Sequence, residues 1–163
     1  MRNVHLLCCV TLVLMGGSAR AADNDLPKEV REAFDKASEF ELYSLDPARP
    51  IKKNDKDVLF HDWKVLGKTT LKGEDARKVR SAIDKGRKDS DGLVAACFNP
   101  RHGVRFVRDK KTYDIVICYE CLSATIYEGE KRLGQFLTTQ SPAPILNRTL
   151  ENAEVPLPKQ RGE

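Results

Sequence analysis

Between residues 97 and 121 the chain holds Cys97, His102, Cys118 and Cys121, with Arg101, Arg105 and Glu120 among them. These residue types at this spacing could do three kinds of chemistry. The first is metal binding: zinc takes three thiolates and an imidazole in a tetrahedron, and Cys-x-x-Cys is a usual half-site. Against it, an extended strand puts Cys118 and Cys121 on opposite faces, about 10 Å apart. The second is one disulfide and one spare thiol. The third is nucleophilic or redox chemistry with His102 as base. Redox Cys-x-x-Cys pairs normally sit at a helix N-terminus, which lowers the thiol pKa, and this one lies in a strand-like run. The bland alternative is buried structural thiols beside an ordinary Arg101–Glu120 ion pair.

The elements that must position these groups form a meander. Val94 to Phe98, Val104 to Arg108, Tyr113 to Glu128 and Leu133 to Thr138 are rich in β-branched and aromatic residues. Asn99–Gly103, Asp109–Thr112 and Gly129–Arg132 join them with hairpin-length loops. If Asp109–Thr112 is a four-residue turn, Phe106 faces Ile115 and Val104 faces Ile117. Opposed residues share a face, so Val104, Phe106, Ile115, Ile117 and Tyr119 form an apolar side. Cys97, Arg105, Val116, Cys118 and Glu120 then form the other side, with Arg101 near Glu120. In this register Cys97 and Cys118 are a whole strand apart, beyond the roughly 7 Å Cα limit for a disulfide. A bridge therefore needs another strand order or a bulge that brings Cys97 towards Cys121. A one-residue slip would exchange the two faces.

Upstream, Val30, Phe34 and Ala37 fall at helical spacing within Leu26–Phe40, and Glu39–Leu45 reads as a strand with Phe40, Leu42 and Ser44 on one side. Two prolines end it in Asp46–Pro50, and a polar Lys52–Asp57 connection follows. Val58–Leu71 is a strand or bent strand pair, in which an extended chain would point His61 and Asp62 to opposite faces. Gly67-Lys68-Thr69-Thr70 resembles the end of a phosphate-binding loop, but the Gly required five residues earlier is Asp62. Gly73–Lys88 is the clearest helix, with Ala76, Val79, Ala82 and Ile83 as its stripe and Gly86 among the residues that stop it. Ser141-Pro142 starts a last helix, in which Asn147-Arg148-Thr149 fits a glycosylation sequon.

The first residues read as a secretory signal. A cationic start precedes the apolar run Leu6–Met15, and Ala19-Arg20-Ala21 is a small-x-small cleavage site. That run is too short to span a bilayer, which needs about 20 residues. The expected organisation is a signal peptide over 1–21, a single domain over 22–158 and a polar tail over 159–163. Arg2 and Arg20 leave with the signal, so the 28 basic residues become 26 against 24 acidic. So small an excess, interspersed with acids, points to neither nucleic acid nor an anionic membrane as partner. Cys8 and Cys9 leave too, and three cysteines in an oxidising compartment cannot all pair.

Leu42-Tyr-Ser-Leu-Asp-Pro47, Trp63-Lys-Val-Leu-Gly-Lys68, Cys97-Phe-Asn-Pro-Arg-His-Gly103 and Ile117-Cys-Tyr-Glu-Cys121 resemble segments of small, functionally uncharacterised exported bacterial proteins. The resemblance implies a periplasmic or secreted bacterial protein and carries no activity with it. The expected fold is α+β: a single antiparallel sheet of about five or six strands, with two or three helices on one face. The leading functional expectation is a non-enzymatic binding module with no cofactor. It would use Arg101, His102, Arg105 and Glu120 around the Asn99–Gly103 loop, with another exported or envelope protein as a candidate partner. A structural envelope component is a further reading. The rival is a zinc- or thiol-dependent enzyme built on Cys97, His102, Cys118 and Cys121.

Overall fold

The computed structural model describes residues 24–48 and 56–159. The expected signal sequence with its cleavage site, the end of the Asp46–Pro50 turn, most of the Lys52–Asp57 connection and residues 160–163 of the tail lie outside these. The elements, in chain order, are α1 (Lys28–Lys36), β1 (Glu39–Leu45), β2 (Leu59–Phe60), β3 (Trp63–Lys72), α2 (Gly73–Lys88), β4 (His102–Arg108), β5 (Lys111–Cys118), β6 (Ser123–Glu128), β7 (Lys131–Leu137) and α3 (Ala143–Asn152). The fold is α+β. One antiparallel sheet, in the order β2-β3-β1-β4-β5-β6-β7, curls into a half-barrel and carries the three helices.

The sheet is held by a main core on its helix side. Val30 and Phe34 of α1, Val79 and Ile83 of α2, and Leu146 and Leu150 of α3 are buried against alternate sheet residues such as Phe40, Val104 and Ile115. Phe34, Phe40 and Phe106 pack at centroid distances of 5.4–5.7 Å. Each fully buried aromatic or aliphatic side chain of this kind contributes about 1.5–3 kcal/mol. Gly86 does not end α2. It lies within the helix, where an added Cβ would stand 2.4 Å from Pro142 Cγ and 2.7 Å from Thr138 Oγ1. Its lack of a side chain lets the chain entering α3 touch α2.

Three expectations about the sheet are corrected. Val94–Phe98 is not a strand. A hairpin to β4 would need a free edge of β4, and β1 and β5 occupy both. The long third strand is two, β5 and β6, broken at Tyr119–Leu122. The turn between β4 and β5 consists of Asp109 and Lys110 alone, both left-handed (φ 50° and 65°). The register is therefore Phe106↔Tyr113 and Val104↔Ile115, a slip of two residues from the expected one. A slip of two preserves every face, because side chains alternate with period two. That is why Val104, Phe106, Ile115, Ile117 and Tyr119 do share the apolar side.

His61 and Asp62 are not in extended chain either: both are left-handed (φ 47° and 69°) and turn β2 into β3. This hairpin lies over the sheet face opposite the helices, where Tyr43, Leu45, Phe60, Trp63 and Val116 form a second, smaller core. Gly103 makes the close approach possible, since a Cβ there would lie 2.6 Å from Phe60 Cε1. The Phe60 ring is itself held between Tyr43 (4.4 Å) and the Arg105 guanidinium (5.3 Å). Gly103→Ala should therefore cost about 1–3 kcal/mol by overpacking. Urea denaturation would read this, and a midpoint equal to that of the parent would show that the hairpin does not press on β4.

Candidate functional site

Except for Arg105, the candidate residues gather at one end of the sheet, where β4 begins and β5 gives way to β6. The link between these strands is a turn without the usual turn residues. Leu122 is left-handed (φ 56°) and its N–H reaches the Tyr119 carbonyl at 3.4 Å. The Cα atoms of Cys118 and Cys121 are consequently 5.1 Å apart, not about 10 Å, and the two form a disulfide. Both are fully buried. Cys97 is the free cysteine of the described residues and is exposed. It lies on an irregular segment drawn to the turn by the Ala95 N–H, which donates to the Cys121 carbonyl at 3.1 Å. Its Sγ stands 3.4 Å from Cys121 Sγ. The approach of Cys97 to Cys121, expected only with another strand order or a bulge, thus occurs because Cys97 has no strand to sit in.

His102 does not join the cysteines. It opens β4 opposite Ile117, on the helix side of the sheet, whereas Cys118 belongs to the other parity. The four residues weighed as zinc ligands are therefore not gathered. Among the described residues no group of three or more His, Cys, Asp or Glu is placed to hold a metal ion.

What surrounds His102 instead is a cleft of about 440 Å³ between α3, the ends of β4 and β5, and the segment 157–158. Arg101, His102, Tyr119, Glu120 and Asn147 are among its lining residues. Arg101 Nε donates to Glu120 Oε1 at 2.9 Å and its Nη1 to the Lys159 carbonyl at 2.9 Å. The expected Arg101–Glu120 pair is thus present at the mouth. His102 Nε2 lies 2.8 Å from Asn147 Oδ1, and its ring centroid is 5.4 Å from that of Tyr119. Burial pushes the imidazole down to about 4, against a partial upward pull from the Asn147 hydrogen bond. The ring is therefore neutral at pH 7. With its proton on Nε2, donated to Asn147, the Nδ1 atom is left as an acceptor. Burial also pushes the Tyr119 phenol well above the usual range, so it remains a donor.

Three buried polar atoms at this end have no partner among the described residues: Ser44 Oγ, His102 Nδ1 and Tyr119 Oη. Ser44 is paired directly with His102 across β1 and β4, so the two side chains share a face. Tyr119 follows Ile117, the partner of His102, at the spacing that keeps the same side. Buried polar groups are nearly always hydrogen-bonded, so three orphans together mark a place built to receive something polar.

Arg105, the fourth expected binding residue, is on the opposite face and is engaged elsewhere. Its Nε and Nη2 donate to Asp114 Oδ1 and Oδ2, each at 2.7 Å, and His61 Nε2 is 2.7 Å from Asp114 Oδ2. Burial would raise the Asp114 pKa, but the hydrogen bonds from Arg105 and His61 outweigh it and hold the carboxyl below its ordinary value. The His61 ring stacks on Tyr127 at 3.8 Å. The result is a closed ion-pair network that fastens the β2–β3 hairpin to the centre of the sheet.

Sequence reading missed Tyr119 and Asn147 as parts of the cleft, and Asp114 as the anchor of Arg105. For Asp114 a signal existed: a lone acid inside the apolar run Tyr113–Cys118 must be buried with a cation. For Asn147 nothing local marked it, since its partner is 45 residues away. No family model, curated protein or solved structure matches the chain.

Proposed function

We propose that the protein is a small exported binding protein, non-enzymatic at the cleft, whose ligand enters between α3 and the ends of β4 and β5 and presents a hydroxyl group to its floor. One observation carries this reading: the cluster of unpartnered buried atoms, Ser44 Oγ, His102 Nδ1 and Tyr119 Oη, two of them on residues that line the cleft. A hydroxyl group can donate once, here to His102 Nδ1, and accept from Tyr119. Neither a carboxylate nor an ammonium can do both. Leu157, Pro158, Ala143 and Pro144 make the remaining walls largely apolar, which suits the carbon skeleton of a polyol or sugar. Arg101 and Glu120, already paired at the mouth, add no net charge. Export after Ala21 fits the N-terminal residues and would place this cleft outside the cytoplasm.

The test is NMR titration of the mature protein with a panel of monosaccharides and polyols. Saturable shifts are expected at the amides of Arg101, His102, Glu120 and Asn147. In Tyr119→Phe the affinity should fall about tenfold, the worth of one hydrogen bond to a buried group. Absence of saturable shifts with every member of the panel, or equal affinity in Tyr119→Phe, would remove the reading.

A further inference from the structure

We infer that Cys97 and the Cys118–Cys121 disulfide form a thiol–disulfide exchange unit, in which exposed Cys97 is the entry thiol, Cys121 the sulfur it attacks and buried Cys118 the leaving thiolate. This lies beyond the cleft reading, which uses no sulfur. Its basis is the order of access. Cys118 and Cys121 are both fully buried, so a thiol in solution has no direct path to their bond. Cys97 is exposed, yet its Sγ is already 3.4 Å from Cys121 Sγ. Exchange proceeds by attack of a thiolate on one sulfur of a disulfide, and here the attacking and attacked atoms are in van der Waals contact. Closing to a bond of about 2.05 Å requires the Cys97 segment to move by less than the width of an atom. That segment has no regular structure, and the Ala95 N–H to the Cys121 carbonyl and the Asn99 N–H to Cys121 Sγ at 3.4 Å are among the bonds that hold it against the turn.

The surroundings also assign the two sulfurs of the bridge different roles. The Cys121 N–H donates to Cys118 Sγ at 3.1 Å. A backbone donor aimed at sulfur stabilises negative charge there; Cys121 Sγ has one too, the Asn99 N–H, but farther off at 3.4 Å, so Cys118 is the better equipped of the two to leave as thiolate. In the exchange Cys97 gives up its proton and donates an electron pair to Cys121 Sγ. The Cys97–Cys121 bond forms as the Cys121–Cys118 bond breaks, and Cys118 takes the electron pair and then a proton. No electron is gained or lost overall. The product exposes a disulfide at Cys97, which a dithiol partner can attack at the Cys97 sulfur. Cys121 then leaves, and the partner's second thiol displaces Cys97, so that the partner is oxidised by two electrons and Cys118 and Cys121 end as thiols.

Two measurements decide the matter. In the first, the folded protein is treated with dithiothreitol, quenched in acid and mapped by mass spectrometry. Tryptic fragments 89–101 and 112–131 separate Cys97 from the other two cysteines. Reduction of Cys118–Cys121 should be slower by about tenfold or more in Cys97→Ser, because the buried bond then opens only through local unfolding. In the second, Cys118→Ser is purified under air and alkylated in denaturant. It should take up no alkyl group at Cys97 or Cys121, the two being joined, and the crosslinked fragment pair should appear. An unchanged reduction rate in Cys97→Ser would overturn the inference. So would two alkylated thiols in Cys118→Ser. The Cys97 substitution is at an exposed position and does not depend on the buried variant folding.

Discussion

Taking the protein from pH 7 to pH 4 should cost about 3 kcal/mol of folding stability through His102 alone. The folded-state pKa of this histidine is about 4 against an ordinary value of 6.5, with burial the main cause. The folded pKa lies below the unfolded one, so on acidification the unfolded chain takes up the proton first. The stability is therefore fully present above about pH 6.5 and is lost as the pH falls towards 4. Asn147, Tyr119 and Ser44, which face the ring, carry no charge in this window, and Arg101 at the cleft mouth only adds to the repulsion of an imidazolium. Urea unfolding across the window should show the slope, and His102→Gln, which can keep the Asn147 hydrogen bond, should abolish it. An identical slope in His102→Gln would mean that another group titrates. Asp114 acts at lower pH. The pKa of Asp114 is depressed, so its contribution is present above the unfolded value near 4 and is lost below it.

Replacing Arg105 by Ala should destabilise the fold by about 3 kcal/mol, and by more than Asp114→Asn does. The asymmetry follows from exposure. Asp114 is 1% exposed, whereas the Arg105 side chain is 37% exposed. Without Arg105 the carboxylate stays buried with only His61 to meet it. Without the carboxylate's charge, Arg105 can turn to water while its stem still covers Phe60 and Tyr43. Arg105→Lys should recover less than half of the loss, because one ammonium cannot make the two parallel bonds to Oδ1 and Oδ2. Paired urea melts of the three variants at pH 7 would check this. A loss below 1 kcal/mol in Arg105→Ala, or a larger one in Asp114→Asn, would mean that the network does not fasten the hairpin.

Much of the fold was legible because periodicity reports burial. Gly73–Lys88 and Glu39–Leu45 were readable to the residue, the helix from its one apolar stripe and the strand from its run of apolar residues closed by Asp46-Pro47. The apolar face of β4 and β5 was also correct although the register was not. The Asp109–Lys110 turn is two residues shorter than expected, and the faces survive an even slip. The Cys118–Cys121 turn was hidden because no Gly, Pro, Asn or Asp interrupts the run from Ile115 to Tyr127. The disulfide and one left-handed leucine make the bend that Gly or Asn would have announced.

By itself, then, the sequence determined the α+β class, the helices on one side, and the crowding of thiols, Arg101, His102 and Glu120 around the start of β4. These follow from residue type and spacing, which act locally. Only the tertiary structure decided which groups meet. β1 takes the β4 edge that Val94–Phe98 would have used, and this frees Cys97 to reach Cys121. The parity of β4 and β5 puts His102 with Asn147 and Tyr119, away from the cysteines, and Arg105 with Asp114. Such meetings depend on strand order, which is set by the competition of all strands for edges and which no single stretch of chain records.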